Sequence, residues 1–113
     1  MRSMFTVFVL GSVLLGGAAS AAAGNPKDGQ KASAVCAACH GADGNKTLDA
    51  TYPKLAGQYA DYLVKVLQDY RSGARVNIVM NGQAANLKDQ DIADIAAWYS
   101  TQVSDLKDLR DFK

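Results

Sequence analysis

Cys36-Ala37-Ala38-Cys39-His40 brings together both cysteines and the single histidine of the chain. Two thiols three residues apart share one side of a helical turn. Both can therefore reach neighbouring groups along one edge of a flat ligand, and the imidazole that follows can turn beneath it as a metal donor. C-x-x-C-H in this order is the attachment signature of a c-type haem. The thiols of Cys36 and Cys39 would add to the two vinyl groups, and His40 would be the proximal iron ligand. Simpler readings fit less well. A thioredoxin-like redox pair calls for a βαβ pattern around the motif, and no strand is evident. A structural zinc site needs four Cys or His ligands, and the chain has three such residues. A lone disulfide leaves the adjacent His40 unexplained.

A haem also needs something on its other face. Met80 is the one methionine outside the first few residues. A lone methionine is ordinarily a gap-filler, but beside a C-x-x-C-H motif it becomes the candidate for the opposite axial position.

The rest of the chain must position these groups. Residues 1–21 read as a secretory leader: Arg2, an uncharged and mostly apolar run from Met4 to about Gly17, then small residues. The expected cut follows Ala21, with Ala23 as the alternative. An uncleaved leader would anchor the protein, although the apolar run is short for a membrane span. Residues 22–113 then form one small domain, of a size at which a bound cofactor adds materially to the core. The whole chain of 113 residues carries 12 Lys and Arg against 11 acidic residues, all Asp. So even a balance gives no support for nucleic-acid binding.

Helical periodicity appears three times. Gly29, Ala32, Val35 and Cys36 recur at helical spacing, which predicts a helix from about Lys27 to Ala38 running into the cysteine motif. Its contact face is small enough for another helix to cross closely. Tyr59, Tyr62, Leu63, Val66, Leu67 and Tyr70 predict a core-facing helix from Tyr59 to Arg71, ended by Ser72-Gly73. Asp61, Lys65 and Asp69 sit on its other side as i,i+4 pairs. Ile92, Ile95, Ala96 and Tyr99 predict a last helix from Asp89 to Gln102. Trp98 lies off that stripe, either as packing at the core's edge or as an indole donor to a haem propionate. Two long stretches, from Gly41 to Gln58 and from Arg75 to Leu87, read as loops, the second carrying Met80. The tail around Leu106, Leu109 and Phe112 either prolongs the last helix or frays.

Taken together, the order of these elements resembles class I cytochrome c across nearly all of residues 22–113. Cys36 to Asn45, Tyr52-Pro-Lys-Leu-Ala-Gly-Gln58 and Asn86 to Ala97 are similar to one half of a dihaem cytochrome c4 and to cytochromes of the c553/c554 sort. There is one C-x-x-C-H motif, which corresponds to one haem. Lys88 stands where a serine often caps the last helix, at some cost in helix stability. The resemblance implies an all-α fold of three to four main helices wrapped around one covalently attached haem c. It implies His40 and Met80 as axial ligands and a hydrogen bond from His40 to the Pro53 carbonyl. Leu55, Tyr59, Leu63 and Leu67 would pack on the haem with Pro53, and the terminal helices would cross through Gly29, Ala32, Ile95 and Tyr99. It further implies a monomeric periplasmic carrier of single electrons, not an enzyme, working with a cytochrome bc complex, a terminal oxidase or a periplasmic reductase. A small peroxidase-like haem enzyme would need an open iron site and a distal acid or base, and no second histidine exists to serve. A gas-binding sensor of the cytochrome c′ type would carry its haem motif near the C-terminus.

Overall fold

The computed structural model describes residues 23–106. The expected leader and the tail residues Leu109 and Phe112 lie outside them. Within this range there are five helices and no strand: α1 Pro26–Ala32, α2 Ala34–His40, α3 Ala60–Ser72, α4 Ile78–Ala84 and α5 Asp89–Ser100. The all-α expectation holds, with one element more than the pattern predicted and one split in two.

The split is at Ser33. The predicted first helix starts as expected, with the Asn25 side chain accepting from the Lys27 N–H at 2.9 Å and Pro26 in the first turn. Ser33 then interrupts it. Its hydroxyl is buried and donates back to the Gln30 carbonyl at 3.1 Å. Such back-bonding competes with the helical ladder and bends it. The bend lets α1 follow its partner helix while α2 carries the cysteine motif. The additional element is α4, which lies inside the expected second loop.

α1 crosses α5 where glycine allows it. A Cβ on Gly29 would lie 1.9 Å from the Asp94 carbonyl oxygen, so any side chain there would force the helices apart. This is the close crossing the small-residue face of α1 predicts. Asp94 is buried at the crossing, and its carboxylate accepts from the Asn25 N–H at 2.7 Å and from Gln90 Nε2 at 2.8 Å. α5 begins without a side-chain acceptor at Lys88, but the Asp91 carboxylate reaches back to the Lys88 N–H at 2.9 Å. That contact recovers part of what a missing cap costs. Arg71, near the end of α3, donates to the Leu87 carbonyl at 2.9 Å and to Asp89 at 2.7 Å, tying α3 to the start of α5.

The loop from Gly41 to Tyr59 is folded against α5. Gly44 has φ +81°, and a Cβ on it would lie 2.6 Å from the Ala56 nitrogen. Its carbonyl accepts from the Leu55 N–H at 2.9 Å, which closes the loop on itself. The Gly57 N–H donates to the Tyr99 carbonyl at 2.9 Å, which fastens the loop to α5. The core consists of Leu63, Ile95, Ala96 and Tyr99, with Cys36, Leu55, Leu67, Leu87 and Trp98 partly buried around them.

Candidate functional site

His40 is the last residue of α2 and is 6% exposed. Its Nδ1 lies 2.8 Å from the Pro53 carbonyl oxygen. A carbonyl can only accept, so Nδ1 carries the proton and donates it. Nε2 is thereby left with its lone pair and with no hydrogen-bond partner among the described residues. This is the tautomer a metal-binding imidazole requires, and the carbonyl contact raises its basicity. The Tyr52 ring meets the imidazole edge-on, with centroids 6.2 Å apart and planes at 83°, which limits rotation of the ring.

Cys36 and Cys39 are both free thiols. Burial pushes the Cys36 thiol above its ordinary value, with the neighbouring Cys39 adding to the effect. Cys36 is therefore a protonated thiol at neutral pH. Cys39, through its negative charge once ionised, holds the Tyr52 phenol above its usual range.

Both thiols and His40 open on one cavity of about 560 Å³, a size proper to a cofactor site. Its apolar wall comes from Leu63, Val66 and Leu67 of α3 and Ile95 of α5, with Pro53 and Leu55 from the loop. Met80 and Val79 of α4 complete it. Leu63, Ile95 and Tyr99 belong to this wall and to the core at once. The core of this molecule is thus built as one side of the cavity.

Most of the residues expected at the site meet there: Cys36, Cys39, His40, Pro53, Leu55, Leu63, Leu67 and Met80 all line the cavity. Tyr59 does not. It is the N-cap of α3, with extended backbone at φ −60° and ψ 131°, and is 78% exposed. The helical stripe extrapolates correctly back to Tyr62 and fails at Tyr59, where the chain is no longer helical. Trp98 is not a donor into the cavity either. Its Nε1–H donates to the Ala42 carbonyl at 2.9 Å, pinning the loop that follows the cysteine motif. Tyr70 was legible as part of the α3 stripe. Arg75 was not, because only the fold brings it to the wall. Its guanidinium lies 5.1 Å from the centre of the Tyr70 ring, and the neighbouring Tyr62 and Tyr70 phenols raise its already high pKa further.

These features form a test for a haem. Two free thiols share one side of a helical turn. A buried imidazole offers an unprotonated Nε2, a thioether stands on the same cavity, and the walls are apolar. A family model described as Cytochrome c matches residues 26–102. The chain belongs to the cytochrome c family. The residues fit that family's covalently bound cofactor, haem c. Over 81 residues the chain is 51% identical to cytochrome c4 of Pseudomonas aeruginosa, covering 72% of this cytochrome and 40% of that one. It is 47% identical over 88 residues to cytochrome c-554(548) of Halomonas halodenitrificans, covering 75% of this chain and 99% of the relative. The crystal structure of reduced recombinant cytochrome c4 from Pseudomonas stutzeri is similar with a TM-score of 0.69 at 43% identity. That match covers 74% of this cytochrome and 48% of the other chain. The cytochrome thus spans half or less of the length of the cytochrome c4 proteins it matches, and nearly the whole length of cytochrome c-554(548).

Proposed function

We propose that this cytochrome is a one-electron carrier, not an enzyme. Its haem would be attached through thioethers to Cys36 and Cys39 and ligated by His40 and Met80. The observation that carries this reading is that an imidazole with a free Nε2 and a methionine thioether line the same cavity. Held in this way by His40 and Met80, the haem would have no site left for dioxygen or peroxide. When bound, the haem would supply the iron that takes up and releases the electron, and a methionine thioether ligand together with an imidazole would favour its ferrous form.

The chain's own residues do the rest. Pro53 and Tyr52 hold the His40 ring in one orientation. Leu63, Val66 and Leu67 of α3 and Ile95 of α5 give the cavity an apolar wall against which a flat apolar ring would pack. Two cations stand on its wall. Lys54 is paired with Asp105 at 2.7 Å, whereas Arg75 has no carboxylate partner among the described residues. Arg75 is therefore free to neutralise a carboxylate of the cofactor. Chemistry on a bound substrate would require a distal acid or base, and the single histidine is already committed to Pro53.

The reading places residues 1–21 as a cleaved export leader, with the cut after Ala21 or Ala23. It makes residues 22–113 a periplasmic monohaem domain and a monomer. Its partners would be redox proteins, namely a cytochrome bc complex, a terminal oxidase or a periplasmic reductase. Redox encounters of this kind bury little surface and are short-lived. Carbon monoxide added to the reduced protein is the test. The carrier reading expects no spectral change. Ready binding would instead place the protein among haem enzymes or gas sensors.

A further inference from the structure

α4 carries Met80, yet little packing holds it. It has seven residues, and Ala84 is its one buried residue. Ile78 is 91% exposed and Val79 47%. A helix this short is not stable by itself, so other contacts must fix it.

Two asparagines one turn apart supply them. Asn77 caps α4, its Oδ1 accepting from the Val79 N–H at 3.1 Å and the Met80 N–H at 3.0 Å. Asn81 returns the contact, its Oδ1 accepting from the Asn77 N–H at 2.8 Å. Its Nδ2 donates to the Tyr70 carbonyl at 2.8 Å and to the Arg75 carbonyl at 2.9 Å. Carbonyls only accept and an N–H only donates, so a flipped amide would lose all three bonds. The orientation of Asn81 is therefore fixed. Tyr70 lies in the last turn of α3, and Arg75 lies in the connection to α4. One side chain thus fastens the methionine helix to the cavity's main wall and to the loop between them.

We infer that Asn81 is a positioning residue for Met80, a latch that sets how readily the sulfur leaves its place. The inference rests on the proposed ligation by His40 and Met80. It adds that the strength of the methionine side resides in polar ties outside the cavity and not in apolar packing within it. Losing three hydrogen bonds at the residue next to the ligand should make release of the sulfur roughly tenfold faster or more.

The test is the rate at which imidazole displaces the sulfur in the oxidised, haem-loaded full chain, followed by loss of the long-wavelength sulfur-to-iron absorption. Asn81→Ala should bind imidazole roughly tenfold faster or more than the wild type. Asn81→Asp keeps the acceptor for the Asn77 N–H but cannot donate, and should accelerate similarly. Asn25→Ala is the control, because it removes the α1 cap and stability with it, away from the cavity. Its exchange rate should match that of the wild type. Wild-type rates in Asn81→Ala or Asn81→Asp would overturn the latch, as would equal acceleration in Asn25→Ala. A wild-type protein without the sulfur band would overturn the ligation itself, and the latch with it.

Discussion

The α1–α5 crossing and the α3–α4 corner support the same site by different means. At the crossing, backbones touch: Gly29 leaves no room for a methyl group against Asp94, and Ile92, Ile95, Ala96 and Tyr99 are buried along α5. At the corner, the apolar side chains of Val76 and Ile78 are 86% and 91% exposed, and hydrogen bonds from Asn77 and Asn81 fix the chain. The two regions divide the labour. Close packing tolerates no displacement, which suits the side that carries α1 and, through it, the attachment motif. A corner held by hydrogen bonds can be loosened locally without unfolding the rest, so the two sides should respond differently to substitution.

The largest effect should come from breaking the crossing. Gly29→Val places a branched side chain against backbone that cannot yield, so the helices must separate. The expected loss is about 3 kcal/mol or more, read as a lower denaturant midpoint of the haem-loaded protein. A loss below about 1 kcal/mol would mean that α1 can slide on α5 and that the two sides do not differ as described.

A smaller effect should appear at high pH. Burial, aided by the charge of nearby Cys36, pushes the Tyr99 phenol up to about 12. Thioether formation removes the cysteine's contribution and leaves burial, the larger cause. A phenol raised above its ordinary value near 10 favours the folded state fully below pH 10. That contribution is lost as the pH rises above about 10 towards the raised value, and amounts to about 1–2 kcal/mol once the cysteine's share and solvent screening are discounted. Tyr99→Phe should remove this alkaline decline. At neutral pH it should cost about 1 kcal/mol, through the hydroxyl's 3.2 Å bond to the Gly41 carbonyl. An unchanged alkaline decline in the variant would place its origin elsewhere.

The smallest effect belongs to neither side. Lys65 pairs with Asp69 on the outer face of α3, where the lysine side chain is 68% exposed. Lys65→Ala should change stability by about 0.5 kcal/mol or less, and the difference should vanish in high salt. A larger change would show that α3 depends on its outer face more than its packing implies.

The same division explains what could be read in advance. α3 and α5 bury one face each, and burial leaves a periodic trace that single residues disclose. The trace placed Leu63, Leu67, Ile95 and Tyr99 correctly. α4 leaves no such trace, because its apolar residues Ile78 and Val79 face outward or toward the cavity mouth. The local cue was Asn77, a good cap two residues before Val79. The contacts of Asn81 with Tyr70 and Arg75 depend on tertiary folding and have no local signature. Trp98 packs at the core's edge, as one of its two readings has it; its indole partner has no local signature, because that partner is a backbone carbonyl at Ala42, which every residue type provides. Ser33 bends the first helix through a bond that a serine in a helix can make or forgo. The chemistry of the site was the most legible part, since Cys36, Cys39 and His40 are adjacent in the chain. The Pro53 carbonyl was anticipated by family resemblance alone.

The most direct test of the central claim is the visible spectrum of the oxidised, haem-loaded protein beside its Met80→Ala variant. The account predicts a weak long-wavelength sulfur-to-iron band in the wild type. It predicts that Met80→Ala loses that band, binds carbon monoxide when reduced and has a lower potential. A variant that keeps the wild-type spectrum and potential would show that Met80 does not ligate the iron, and would contradict the account.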